Sequence, residues 1–319
     1  MIKKIGLLTS GGDAPGMNAA LIGAIRAGHK LGKEMYVVYE GYRGLLEKNF
    51  VKVDRDFNFD KLSRPGTFIK SARLPEFKND EVQLEAVKNL KEEGIDALIV
   101  IGGDGSYMGA KKLSEKGITC IGLPGTIDND IASSDFTIGF DTCLNTVVES
   151  IDEIVATSSS HRRCAVVEIM GNRCADLTLY AGIATCADYI ITRERANKIE
   201  DMISELKELK KTNPDHVLIL VEEKFIDSNA LVNRITNECG FDTRLTVLGH
   251  IQRGGTPSAM ERFNAIRMGV YALELLDKGI GGVCVGLKGN DLVYRDIYEA
   301  LKLESPKRDD LYAIHEIVK

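Results

Sequence analysis

The chain has no apolar run long enough to cross a bilayer. Its longest runs, such as Ala97 to Ile101, fall far short of the roughly 20 residues that a spanning helix needs. The N-terminal stretch Met1-Ile2-Lys3-Lys4-Ile5-Gly6 lacks the apolar segment and small-residue cleavage site of a secretory leader, so a cytoplasmic location is expected. A basic block is also missing. Lys plus Arg number 41 and Asp plus Glu 47, for a net charge of −6, which argues against nucleic acid as a partner. The seven cysteines, Cys120, Cys143, Cys164, Cys174, Cys186, Cys239 and Cys284, are odd in number and contain no CxxC pair. That excludes a disulfide framework and a zinc signature and leaves reduced, mostly buried thiols as the expectation. Low-complexity tracts, short repeats and flexible linkers are absent as well.

What is present is a chain of 319 residues, 44% hydrophobic and 28% charged. This is ample for a folded protein of about two domains. Short runs rich in β-branched residues read as buried strands: Ile5 to Thr9, Met35 to Tyr39, Ala97 to Ile101, Thr119 to Leu123, Cys164 to Ile169, Tyr189 to Thr192, Val217 to Val221, Leu245 to Leu248 and Val283 to Leu287. Helix-period segments lie between them. Asn18 to Lys30 and Thr142 to Ala156 carry apolar stripes, and Glu200 to Lys211 and Glu261 to Leu276 are further candidates. Such alternation predicts an α/β protein with largely parallel sheets covered by helices on both faces. Pro65 to Asp80 has little periodicity and is expected to be a long functional loop.

In open α/β sheets, ligands bind beyond the carboxyl ends of the strands. Three glycine-rich segments fall there. Ser10-Gly11-Gly12-Asp13-Ala14-Pro15-Gly16-Met17-Asn18 joins a strand to a helix and suits a bound anion, yet matches neither GxxxxGK[ST] nor GxGxxG. In Ile101-Gly102-Gly103-Asp104-Gly105-Ser106 a carboxylate stands beside bare backbone, which suits Mg²⁺ carrying a polyphosphate; a helix N-cap is the plainer reading. Pro124-Gly125-Thr126-Ile127-Asp128-Asn129-Asp130 carries two carboxylates on one loop, more than a turn needs.

These segments, together with GHIQRGG at 249–255, come in an order that resembles bacterial-type ATP-dependent 6-phosphofructokinases, collinear from Met1 to about Asp296. The resemblance implies two interleaved Rossmann-like three-layer domains. The ATP-binding one would be 1–138 plus 251–301, and the fructose 6-phosphate-binding one 139–250 plus 302–319. It implies transfer of the γ-phosphoryl of MgATP to the 1-hydroxyl of fructose 6-phosphate, the committed step of glycolysis. Asp128 would be the base, with Thr126 and Arg73 as further catalytic residues, and Asp104 would hold Mg²⁺ with Asp130 beside it. Gly12, Arg73, Leu74, Gly103, Asp104, Gly105 and Ser106 would line ATP. Thr126, Ile127, Asp128, Met170, Gly171, Asn172, Glu223, His250, Ile251, Gln252 and Arg253 would serve the sugar phosphate, with Arg163 and Arg244 reaching in from a neighbouring subunit of a homotetramer. His29, His216 and His315 read as structural, and His161 as a loop neighbour of Arg163. The tail from Ser305 onward receives no role.

Two departures from the family pattern stand out. The family usually reads Met-Gly-Arg at 170–172, whereas this chain has Met170-Gly171-Asn172-Arg173. In the effector site, Arg26 and Arg55 match and Asp188 replaces a glutamate, but Ile22, Val155, Thr212 and Pro214 stand where basic residues are usual. Response to ADP or phosphoenolpyruvate is therefore expected to be weak or lost. Gly105 and Gly125 favour ATP over pyrophosphate as donor, because pyrophosphate-using relatives usually carry Asp and Lys there. A tagatose 6-phosphate kinase and a non-catalytic nucleotide or sugar-phosphate sensor are the other readings.

Overall fold

The computed structural model describes residues 2–319. The chain divides into two compact units, Met1–Thr142 with Arg253–Ser305, and Cys143–Gln252 with Pro306–Lys319. Among the described residues, no helix is long and apolar enough to cross a membrane.

The first unit is built on an eight-stranded sheet. Across it run Asp291–Asp296, Val283–Lys288, Thr119–Thr126, Ala97–Gly102, Lys4–Thr9, Glu34–Val38 and Phe50–Val53, and Ile138–Gly139 pairs with the end of Thr119–Thr126. The inner pairings are parallel; the two outer strands, Phe50–Val53 and Asp291–Asp296, run antiparallel to their neighbours. Sequence reading finds the inner strands because both of their faces are buried, as Ala97–Gly102 shows at every position. It misses the outer two because most of their residues are exposed or half-buried, which breaks the continuous apolar run.

Helices cover the sheet. Met17–Lys30 packs against Ala259–Asp277. Glycine makes the close approach possible: a Cβ on Gly23 would lie 3.0 Å from the Ile266 backbone, and one on Gly269 would lie 2.4 Å from the Ala20 carbonyl. The segment 65–79 is an extended loop apart from a short helical turn at Pro75–Lys78, and a regular helix begins at Asp80. Asn18 ties the loop down, donating to the Arg64 carbonyl and accepting from the Phe68 N–H.

The second unit carries a four-stranded parallel sheet in the order Thr243–Val247, Cys164–Ile169, Val217–Glu222, Tyr189–Ile191. The helix expected over 142–156 runs from Phe140 to His161. Its serine-rich end is helical too, and there the Ser160 hydroxyl donates back to the Ala156 carbonyl. His161 therefore closes the helix and does not lie in a loop. His29, His216 and His315 bond to Val53, Ser159 and Ala187 respectively, as structural histidines do. The C-terminal tail forms a helix, Asp309–Val318. The cysteines are all free thiols; Cys120, Cys143, Cys164, Cys239 and Cys284 are buried and Cys186 is exposed.

Candidate active site

In the first unit the three glycine loops leave the carboxyl ends of the adjacent strands Lys4–Thr9, Ala97–Gly102 and Thr119–Thr126. They are stitched together. The Ser10 N–H donates to the Ile101 carbonyl, and the Ser106 hydroxyl donates to the Ser10 carbonyl at 3.1 Å. Any side chain at Gly102 would collide with Ser106 Oγ and Ser10 O, so this junction requires glycine. Gly103 and Gly105 have no atom within 4 Å of a would-be Cβ, so they face open space. The 65–80 loop joins this constellation. Thr9 Oγ1 bonds to the Lys70 carbonyl, and the Ser71 hydroxyl donates to the Gly11 carbonyl at 2.7 Å, which brings exposed Arg73 to the same end of the sheet.

Asp104 is the first residue of the helix Asp104–Glu115 rather than its cap; Gly103 occupies the capping position. It has no ion-pair partner among the described residues. Its pKa is raised above the ordinary carboxylate value, first by burial and then by the charge of Asp130. Two carboxylates that feel each other beside bare backbone fit a magnesium ion that takes its remaining ligands from water and phosphates. No larger ligating cluster of His, Cys, Asp and Glu occurs among the described residues. The Asp128 N–H donates to Thr126 Oγ1 at 3.1 Å. The loop beyond is braced by Asn129, which is buried with φ 53, accepts from the Thr137 N–H and donates to the Asp135 carbonyl. Asn129 and Thr137 are supports that the sequence reading passed over. Ile127 is 1% exposed, so its side chain belongs to the core and only its backbone is available to a ligand. Arg253 also lies in this unit: its Nη1 donates to the Asp13 carbonyl at 3.0 Å and fills the space that a side chain on Gly12 would need.

The second unit gathers the rest. Arg163 and Arg244 both pair with Asp242, Arg163 Nε at 2.8 Å and Arg244 Nη2 at 2.9 Å. This aspartate, which the sequence reading missed, sets two guanidinium groups side by side, and its own pKa is lowered by the Arg163 hydrogen bond. Glu223 Oε1 accepts from the N–H groups of Gly171 and Asn172. Gln252 is fully buried and its Oε1 accepts the Met170 N–H at 3.0 Å. It therefore shapes the 170–172 loop from behind and offers no side-chain atom to a ligand. His250 and Ile251 are exposed on the short turn Gly249–Arg253. The tail also meets this unit's machinery: Arg308 pairs with Asp176 through two hydrogen bonds of 2.9 and 2.6 Å, at the start of the helix that follows the loop.

The sequence matches the family model for phosphofructokinase over residues 4–276. The chain belongs to the phosphofructokinase family. It is 52% identical over 315 residues to the ATP-dependent 6-phosphofructokinase of Photobacterium profundum, covering 98% of each chain. It is 53% identical over 317 residues to that of Vibrio cholerae, covering 99% of each. Among solved structures it resembles phosphofructokinase from Saccharomyces cerevisiae, with a TM-score of 0.90 and 34% identity over 98% of this chain; it spans 49% of the yeast chain. A pyrophosphate-dependent phosphofructokinase from Marinobacter aquaeolei shares the fold, with a TM-score of 0.83 at 18% identity, covering 99% of this chain and 92% of that one.

Of the residues expected at an effector site, Arg26 and Asp188 have local partners. Arg26 pairs with Asp56 at 2.6 Å and stacks on Phe59, Arg55 is exposed, and Asp188 accepts the Leu218 N–H at 2.8 Å.

Proposed function

We propose that the chain catalyses ATP-dependent phosphorylation of fructose 6-phosphate to fructose 1,6-bisphosphate. The observation that carries this reading is the placement of Asp104, Asp128 and Asp130 on glycine loops that leave the carboxyl ends of three adjacent parallel strands. The first unit, with Gly12, Arg73, Leu74, Gly103, Asp104, Gly105 and Ser106, is the ATP-binding domain. Gly103 and Gly105, bare of side chains, leave room for phosphates. Asp104 and Asp130 hold the magnesium ion, which when bound neutralises phosphate charge. Asp128 takes the proton of the sugar's 1-hydroxyl, and Thr126 orients that loop. Arg73 offsets negative charge on the transferred group. The second unit is the sugar-phosphate domain: Met170, Gly171 and Glu223 meet the sugar, and His250 receives its phosphate. Arg163 and Arg244, aligned by Asp242, complete a neighbour's site in a homotetramer. The enzyme works in the cytoplasm without nucleic acid or membrane partners.

The test is coupled ADP release with fructose 6-phosphate, for the parent and for Asp128→Asn. The expected result is robust turnover by the parent and a loss of about 10²- to 10⁴-fold in kcat for the variant, with substrate binding retained. Absence of ADP release by the parent, or faster turnover with pyrophosphate or with tagatose 6-phosphate, would overturn the assignment.

A further inference from the structure

Glu222 and Glu223 follow one another at the end of the strand Val217–Glu222, and both act on one loop. Glu223 acts directly, accepting the N–H groups of Gly171 at 3.4 Å and Asn172 at 3.0 Å. Glu222, whose side chain is 0% exposed, acts through a cation. Its Oε2 accepts the Arg193 backbone N–H at 3.0 Å and its Oε1 accepts Arg193 Nε at 2.5 Å. The far end of the same guanidinium, Nη2, donates to the Asn172 carbonyl at 3.5 Å. Asn172 is thus held by its N–H on one side and its carbonyl on the other. Its φ of 56° is left-handed, a conformation that asparagine adopts more readily than other non-glycine residues, and the two bonds fix the loop in it. Arg173 is exposed and makes no hydrogen bond or ion pair with any described residue. The guanidinium that reaches this loop therefore comes neither from 172 nor from 173.

We propose that Arg193 is a positioning residue for the substrate loop 170–174, with Glu222 as its buried counter-ion. This rests on the reading of that loop as part of the fructose 6-phosphate site. Two properties of the pair make it a positioning device. A buried carboxylate cannot be left alone without a large penalty, so Glu222 keeps Arg193 in one place. The planar guanidinium presents separate donors along a rigid fork, so one side chain serves Glu222 with Nε and Asn172 with Nη2; a lysine, with its single ammonium centre, cannot span both.

The test compares initial rates of the parent, Arg193→Lys, and the double variant Arg193→Met/Glu222→Gln, varying fructose 6-phosphate and ATP in turn. The lysine variant keeps a cation beside Glu222, and the double variant removes both charges, so neither leaves a buried charge alone. Both are expected to raise KM for fructose 6-phosphate about tenfold while KM for ATP stays within about twofold. A rise below about threefold in either folded variant, or a parallel rise in KM for ATP, overturns the proposal, since a merely structural role moves both constants or neither. If the parent itself fails to phosphorylate fructose 6-phosphate, it is the functional reading that falls.

Discussion

Replacing Glu261 by Gln should make the first unit more stable at alkaline pH and leave it unchanged in acid. Glu261 lies in the first turn of the helix Ala259–Asp277, where Ser258 caps the helix by accepting the Glu261 N–H at 3.0 Å. Its side chain crosses to the start of the helix Phe140–His161 and accepts from the Thr142 N–H and hydroxyl at 3.3 Å. It is 4% exposed, packed against Gly16, where a side chain would come within 2.8 Å of the Glu261 Cγ. Burial raises its pKa from 4.5 to about 7; the nearby charge of Asp141 adds to the rise, and donors from Gly139 and Thr142 limit it. Because the folded-state value lies above the unfolded one, the acid stabilises the fold while protonated. That contribution is fully present below about pH 4.5 and is lost as the pH climbs through about 7. At about 1.4 kcal/mol per pH unit, the loss comes to about 3 kcal/mol. Glutamine mimics the protonated acid, with a carbonyl oxygen for the Gly139 and Thr142 donors and no charge to bury. Urea unfolding at equal protein concentration should find the variant and parent matched at about pH 4 and below, with the variant ahead by ~3 kcal/mol at pH 8. A difference that does not change with pH, or a variant weaker than the parent at pH 8, would refute the reasoning.

Gly105→Asp tests the choice of phosphoryl donor. The site has open space and lies in the first turn of a helix, where a carboxylate is tolerated, so the variant should fold. A carboxylate about 5 Å from a phosphate charge costs about 3 kcal/mol at an effective dielectric of ~20, so kcat/KM for ATP should fall about 100-fold; unchanged ATP kinetics would count against Gly105 as a nucleotide-lining residue. Gly125→Lys should instead harm the fold, by about 1–3 kcal/mol in a denaturation experiment, because its Cβ would lie 2.8 Å from the Ile101 Cγ2 and 3.1 Å from the Gly102 N. Phosphoenolpyruvate and ADP should leave fructose 6-phosphate saturation nearly unchanged, since Arg26 already faces Asp56 and four usual basic positions are uncharged; a strong shift by either ligand at low millimolar concentration would contradict this.

The sequence by itself determined the parallel α/β character and the position of the glycine loops. The reason is local. A strand buried on both faces must be apolar at nearly every position, as Ala97–Gly102 is, and a loop that leaves its backbone open must be stripped of side chains, as at Gly103 and Gly105. Both demands are written in consecutive residues. What only the tertiary structure decided depends on residues far apart in the chain. Asp242 aligns Arg163 from 79 positions away. Gln252 looked like a substrate contact within its motif but is buried beneath Met170. The tail, silent in the sequence, brings Arg308 to Asp176 across 132 positions. Arg193 and Glu222 reveal nothing singly; their meaning comes from the parallel pairing of Tyr189–Ile191 with Val217–Glu222, which carries a guanidinium to the Asn172 carbonyl. Side-chain support of this kind is a property of distances in space, and no spacing along the chain encodes it.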